Sequence, residues 1–156
     1  HFFLLELRQE TNVAVEEQAQ IVHAITQHGQ AVRAHAKGKA WTYAECCARY
    51  VEHFDTTPAP DAEHLMRSRY SAFVLENASY LQATWHASQR PAQLDFEPGA
   101  KWLGLQVKDF QPTGASTAEV EFVARFRVAG RAVRLHERSR FVCEANRWFY
   151  VDGDQF

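Results

Sequence analysis

The strict two-residue alternation of residues 119–128 constrains the fold more than any other stretch of the chain. Val120, Phe122, Ala124, Phe126 and Val128 fall on one side, and Glu119, Glu121, Arg125 and Arg127 on the other, with Val123 the apolar exception. Such a period marks a half-buried strand. The link Ala129-Gly130 then leads into a second strand over residues 131–143, and a tight turn of that length fixes the register. Phe126 is predicted opposite Val133 and Ala124 opposite Leu135 on the inner face, while Glu121 meets Arg138 and Glu119 meets Arg140 on the outer face. Each such opposite-charge pair contributes roughly 0.2 to 1 kcal/mol.

Applying the same rule at Ala145-Asn146 places Cys143 opposite Trp148, Phe141 opposite Tyr150 and Ser139 opposite Asp152. One antiparallel meander results. Its inner face, otherwise Val133, Leu135, Phe141 and Cys143, is interrupted by Glu137 and Ser139, with Asp152 expected beside them. A desolvated carboxylate is costly, so Glu137 requires a cation, hydrogen-bond donors, water or a ligand. One reading is a structural ion pair with Arg67 or Arg69 from a covering helix. The other is a ligand pocket: Glu137, Ser139 and Asp152 supply its polar groups, Tyr150, Trp148 and Trp85 its walls, and Arg69 its cation. His86 is either a proton carrier beside that pocket or a cap at a helix end.

The rest of the chain narrows these choices. Its 156 residues suit one domain. A net charge of -2 argues against a polyanion binder, and the arginines of the outer strand face are expected to be compensated by Glu119 and Glu121, so no nucleic-acid partner is expected. Cys46, Cys47 and Cys143 make an odd count with two adjacent, which favours a reducing, cytoplasmic setting over a disulfide framework. No apolar run approaches the roughly 18 to 20 residues needed to span a bilayer. The short run Phe2 to Leu5 is soon charged and lacks a basic leader, so a secretory signal is not expected.

Residues 13–36 carry Val15, Ala19, Val22, Ile25 and Val32 near one stripe, which predicts a helix and assigns residues 1–34 to an N-terminal helical extension. Residues 35–54 form a Cys-bearing segment, and Pro58 and Pro60 mark a linker. Asp61 is the predicted N-cap of a helix reaching about Glu76, with Met66 as core filling, and a further helix spans residues 78–85. Residues 94–96 are expected to be extended and 102–107 to form the first strand, with a turn at Pro112-Thr113-Gly114. Helices followed by antiparallel strands indicate an α+β domain, here residues 61–156, with helices packed on a curved sheet.

The runs Leu65 to Phe73, Tyr80 to His86, Trp102 to Leu105, Leu135 to Phe141 and Trp148 to Gly153 closely resemble the bacterial YchJ-like family over about residues 35 to 154. The resemblance implies a cone-shaped, cystatin-like fold similar to nuclear transport factor two and ketosteroid isomerase. Tyr43 to Tyr50 resembles the second half of a SEC-C motif, a zinc-binding element of pattern C-x-C-x8-C-C. Spacing maps its ligands onto His35, Lys37, Cys46 and Cys47. Lys37 is not an ordinary zinc ligand, which leaves His35, Cys46 and Cys47 as candidate metal ligands and His53 as the nearest spare donor. Zinc is the candidate cofactor.

Three functions follow as expectations. The first is a binding or adaptor module with a small-ligand or peptide pocket and a protein partner docked on the Cys-bearing segment. The second is an isomerase- or hydrolase-type enzyme using Glu137 or Asp152 as general base. The third is a homodimer through the outer sheet face.

Overall fold

The computed structural model describes residues 47–156. Helices α1 (Ala48–Val51), α2 (Ala62–Val74) and α3 (Ala78–Ala83) precede strands β1 (Lys101–Pro112), β2 (Thr117–Val128), β3 (Arg131–Glu144) and β4 (Arg147–Gln155). The four strands form one antiparallel sheet in chain order. The helix predicted over residues 13–36, together with His35, Lys37 and Cys46, lies outside the described residues.

Local chemistry sets the helix ends. Asp61 Oδ1 accepts from the His64 amide at 2.7 Å, and Asn77 Oδ1 accepts from the Tyr80 amide at 3.0 Å, so the starts of α2 and α3 each gain a side-chain partner for one orphan donor. Helix α3 stops earlier than expected. Thr84 carbonyl accepts from the Tyr150 amide at 2.8 Å and the His86 amide donates to the Tyr150 carbonyl at 2.7 Å, so residues 84–86 leave the helix to bridge onto β4. Residues 94–96 join no ladder. Leu94 and Phe96 pack against the core instead, with Phe96 edge-on to Phe73.

Both hairpins turn in two residues, with φ of 51° at Ala129, 77° at Gly130, 51° at Ala145 and 62° at Asn146. Positive φ at both central positions is the turn whose twist matches the flanking strands. The register between β2 and β3 is the expected one: Phe126 faces Val133, Ala124 faces Leu135, Glu121 faces Arg138 and Glu119 faces Arg140. Cys143 faces Trp148 and Phe141 faces Tyr150.

Beyond Tyr150 the expected register fails. The ladder shifts between Phe141 and Arg140, leaving Val151 as the extra residue, so Asp152 pairs with Arg140 and Gly153 with Ser139. A single inserted residue turns every later side chain of that strand to the other face. Asp152 is therefore on the outer face, where Oδ1 accepts from Arg140 Nε at 2.6 Å.

The inner face meets the helices. Val120, Phe122, Ala124 and Phe141 join Leu65, Ala72, Tyr80 and Leu81 in one buried cluster. On the outer face Arg138 reaches Glu119 at 2.6 Å, Glu121 at 3.1 Å and Asp109 at 3.2 Å, and Arg140 reaches Asp152 and Asp154. Compensation covers only that end of the face. Arg125 stands directly opposite Arg134, and among the described residues neither of them nor Arg127 has an ion-pair partner.

Candidate functional site

Glu137 projects from β3 into the space between α2 and the sheet and is 7% exposed. Its Oε1 accepts from Tyr150 OH at 2.9 Å and from Ser139 Oγ at 3.0 Å. Among the described residues nothing donates to Oε2. The shift in β4 makes this arrangement sterically possible, because it brings Gly153 beside the carboxylate. A Cβ at 153 would overlap Glu137 Oε1 and lie 2.7 Å from Cδ and 2.9 Å from Cγ.

The second charge comes from α2. Arg69 is 3% exposed, and its guanidinium carbon sits 4.9 Å from the Trp85 ring centroid and 4.7 Å from that of Tyr150. Stacking of a desolvated cation on aromatic faces is worth about 2 kcal/mol. Nη1 donates to the Leu81 carbonyl at 2.8 Å and to Thr84 Oγ1 at 2.7 Å. Burial draws the Arg69 pKa down to about 10, against the opposing pull of Tyr150, Tyr80 and Glu137, so it remains cationic at neutral pH. Burial, reinforced by Glu137, pushes the Tyr150 phenol well above its ordinary value and keeps it a hydrogen-bond donor.

Although Arg69 and Glu137 feel each other electrostatically, no salt bridge joins them. They share one end of a cavity of about 60 Å³, with Ser139, Trp85 and Tyr150 beside them. Met66, Tyr70 and Phe73 of α2 line the remainder on one side, and Trp102, Phe122 and Leu135 of the sheet on the other. The arrangement offers donors, an acceptor and an apolar wall in one enclosure.

Five of the sequence-predicted pocket residues, Arg69, Trp85, Glu137, Ser139 and Tyr150, lie together here. Three do not. Asp152 is carried to the outer face by the inserted Val151, which removes the expected pair of carboxylates. Trp148, near the start of β4, lines a separate hollow with Phe54, Leu65 and Tyr80, where Arg147 holds the chain before the linker through the Phe54 and Asp55 carbonyls. His86 lies past the end of α3, with Nδ1 against Ser88 Oγ at 2.7 Å and Nε2 against Glu144 at 3.1 Å, outside the cavity. Arg67 is excluded as the partner of Glu137, since its Nε donates to Glu63 at 3.0 Å within α2.

Sequence reasoning missed Gly153 and most of the apolar wall. Phe122 was signalled by its inner-face register, but Tyr70 and Phe73 lie on a helix buried on nearly all sides, where no stripe distinguishes a cavity wall from core. Of the candidate zinc ligands only Cys47 is placed, buried against the core. His53 is exposed. No group of three or more His, Cys, Asp or Glu suited to a metal occurs among the described residues, so a zinc site using Cys47 would draw on residues before it.

Comparison with known proteins places this geometry among relatives. Residues 61–153 match the family model described as YchJ, middle NTF2-like domain. A UPF0225 protein of a Polaromonas species is 65% identical over 120 residues, spanning 76% of this chain and 86% of the relative. One from Bordetella pertussis is 58% identical over 120 residues, spanning 75% of this chain and 89% of the relative. The solution structure of a SEC-C motif containing protein from Rhodopseudomonas palustris is 32% identical, with a TM-score of 0.65 over 78% of this chain and 95% of that one. The crystal structure of a SEC-C motif containing protein from Psychrobacter arcticus is also 32% identical, with a TM-score of 0.63 over 76% of this chain and 75% of that one. No helix among the described residues is long and apolar enough to cross a membrane.

Proposed function

The chain belongs to the YchJ family of UPF0225 proteins, and from its geometry we propose that it is a binding module whose small ligand sits in the cavity between α2 and the sheet. One observation carries this reading. Two buried, opposite charges, Arg69 and Glu137, face one apolar-walled cavity without closing on each other. A purely structural pair gains most by direct contact, because desolvated charges are repaid only by good mutual geometry. Tyr150 bridges them, stacked against the guanidinium and donating to the carboxylate, and the cavity that both charges line beside it suits a third group.

Asp152 bears on the enzyme alternative. Two close carboxylates in a dry cleft would titrate as a coupled pair and supply a proton acceptor near neutral pH. With Asp152 bound to Arg140 on the outer face, that arrangement is missing. The adaptor aspect of the reading, a protein partner docked on the Cys-bearing segment, is supported by the SEC-C motif that names both solved relatives.

The test is an NMR screen of a library of very small fragments, each of only a few non-hydrogen atoms, against the full chain and against Ala124→Leu, which fills the cavity from the sheet side. Fragments are expected to shift the Trp85, Ser139 and Tyr150 signals in the first and to lose at least about tenfold in affinity in the second. Perturbations confined to the outer face, or indifferent to Ala124→Leu, would sink the reading.

A further inference from the structure

The bonding capacity left over at the polar end of the cavity specifies what can fill it. Arg69 has committed Nη1 to Leu81 and Thr84, and Glu137 has committed Oε1 to Tyr150 and Ser139. Nε and Nη2 of Arg69 make no hydrogen bond among the described residues, and neither does Glu137 Oε2. What remains is donor capacity on one side and acceptor capacity on the other. A group lying between them must accept from the guanidinium and donate to the carboxylate.

Charge restricts the group further. One buried cation and one buried anion leave this end neutral as a whole. An anionic or cationic head would add an unmatched charge to a desolvated site, where such charges are disfavoured. Size sets the last limit. An apolar cavity that accepts benzene measures roughly 150 Å³, and this one measures about 60 Å³. It suits a few heavy atoms rather than a ring.

We propose that the site takes a small neutral primary amide, with the amide carbonyl accepting from Arg69 and the amide N–H donating to Glu137 Oε2. An amide suits the gap because it carries acceptor and donor on separate atoms of one planar group. The inference rests on the binding reading above and deepens it, since a different ligand class would leave the cavity a site but not an amide site.

Three probes of one shape and different charge test it: acetamide, acetate and acetamidinium, titrated into the full chain at constant ionic strength and followed by the Trp85 indole and the Ser139, Tyr150 and Gly153 amide signals. Acetamide is expected to saturate these shifts at a concentration at least about tenfold below the other two. Glu137→Gln leaves Arg69 uncompensated, so in that variant the preference is expected to reverse towards acetate. Acetate or acetamidinium binding best to the unaltered chain would overturn the amide inference while sparing the cavity reading. Failure of all three to give saturable shifts at these residues would overturn the inference, and together with an empty fragment screen the cavity reading as well.

Discussion

Glu137 fits on an apolar sheet face because three neighbours accommodate its carboxylate: Tyr150 and Ser139 donate to Oε1, and Gly153 provides the space beside it. The role of the charge separates from the role of the shape in two substitutions. Glu137→Gln preserves volume and one acceptor oxygen and breaks no direct salt bridge, but it removes the charge that balances buried Arg69, so unfolding by urea is expected to show a loss larger than the about 1 kcal/mol of a typical hydrogen bond and smaller than the about 3 kcal/mol of a disrupted direct pair. A loss above about 3 kcal/mol would identify Glu137 as the structural partner of Arg69, as for a disrupted buried pair. Gly153→Ala forces the carboxylate aside, and overpacking of this kind costs about 1–3 kcal/mol. In the double variant Glu137→Ala/Gly153→Ala the clash disappears, so its cost should fall short of the sum for the single variants Glu137→Ala and Gly153→Ala. Strict additivity would show that Gly153 serves another purpose.

At the scale of elements the two hairpins hold the site, since they set which β3 and β4 side chains face α2. Ala145 and Ala129 both adopt φ of 51°, a left-handed conformation that costs a residue with a Cβ about 1–2 kcal/mol. Glycine removes that strain and returns some conformational entropy to the unfolded chain. Ala145→Gly is therefore expected to stabilise by about 0.5–1 kcal/mol, visible as a rise of several degrees in the thermal midpoint; an unchanged or lower midpoint would contradict the assigned turn. These turns also explain what the sequence disclosed. A two-residue link leaves one register, and alternation tells inside from outside, so the positions of Glu137, Ser139 and Tyr150 were readable. Val151 was not recognisable as an inserted residue, because an apolar side chain in an apolar strand carries no mark of a bulge. Asp152 was misplaced, and Gly153 overlooked, for that one reason. Helix α2 hid its share of the cavity differently, because burial on nearly all sides erases the stripe by which a helix face is read.

Among the described residues the sheet is polarised, with the cavity on its inner face and a network of solvent-facing ion pairs on its outer face. Outer-face carboxylates are held by arginine and histidine partners. Hydrogen bonds from Gln111 and Arg138 lower the Asp109 pKa, that from His136 lowers Glu121 ahead of Arg138, and Arg140 lowers Asp154. A depressed folded value means that the stabilisation is complete above the ordinary carboxylate values of 3.8 and 4.5 and is lost as pH falls through the depressed folded values. Glu76 has the opposite sign: partial desolvation by its neighbours raises its pKa, so its ionisation subtracts a little stability as pH rises past 4.5. Asp61, where the hydrogen bonds from His64 outweigh its burial, is depressed as well, so among the described residues four depressed carboxylates against one raised give a net fall in stability on acidification. Because the three outer-face groups stay in contact with solvent, salt should screen them. The thermal midpoint is accordingly expected to fall between about pH 5 and pH 3, more steeply at low than at high ionic strength, and Arg138→Met/Arg140→Met should flatten that fall while lowering the midpoint at pH 7. An acid limb unchanged by both salt and the double substitution would place the acid-sensitive groups away from the outer face.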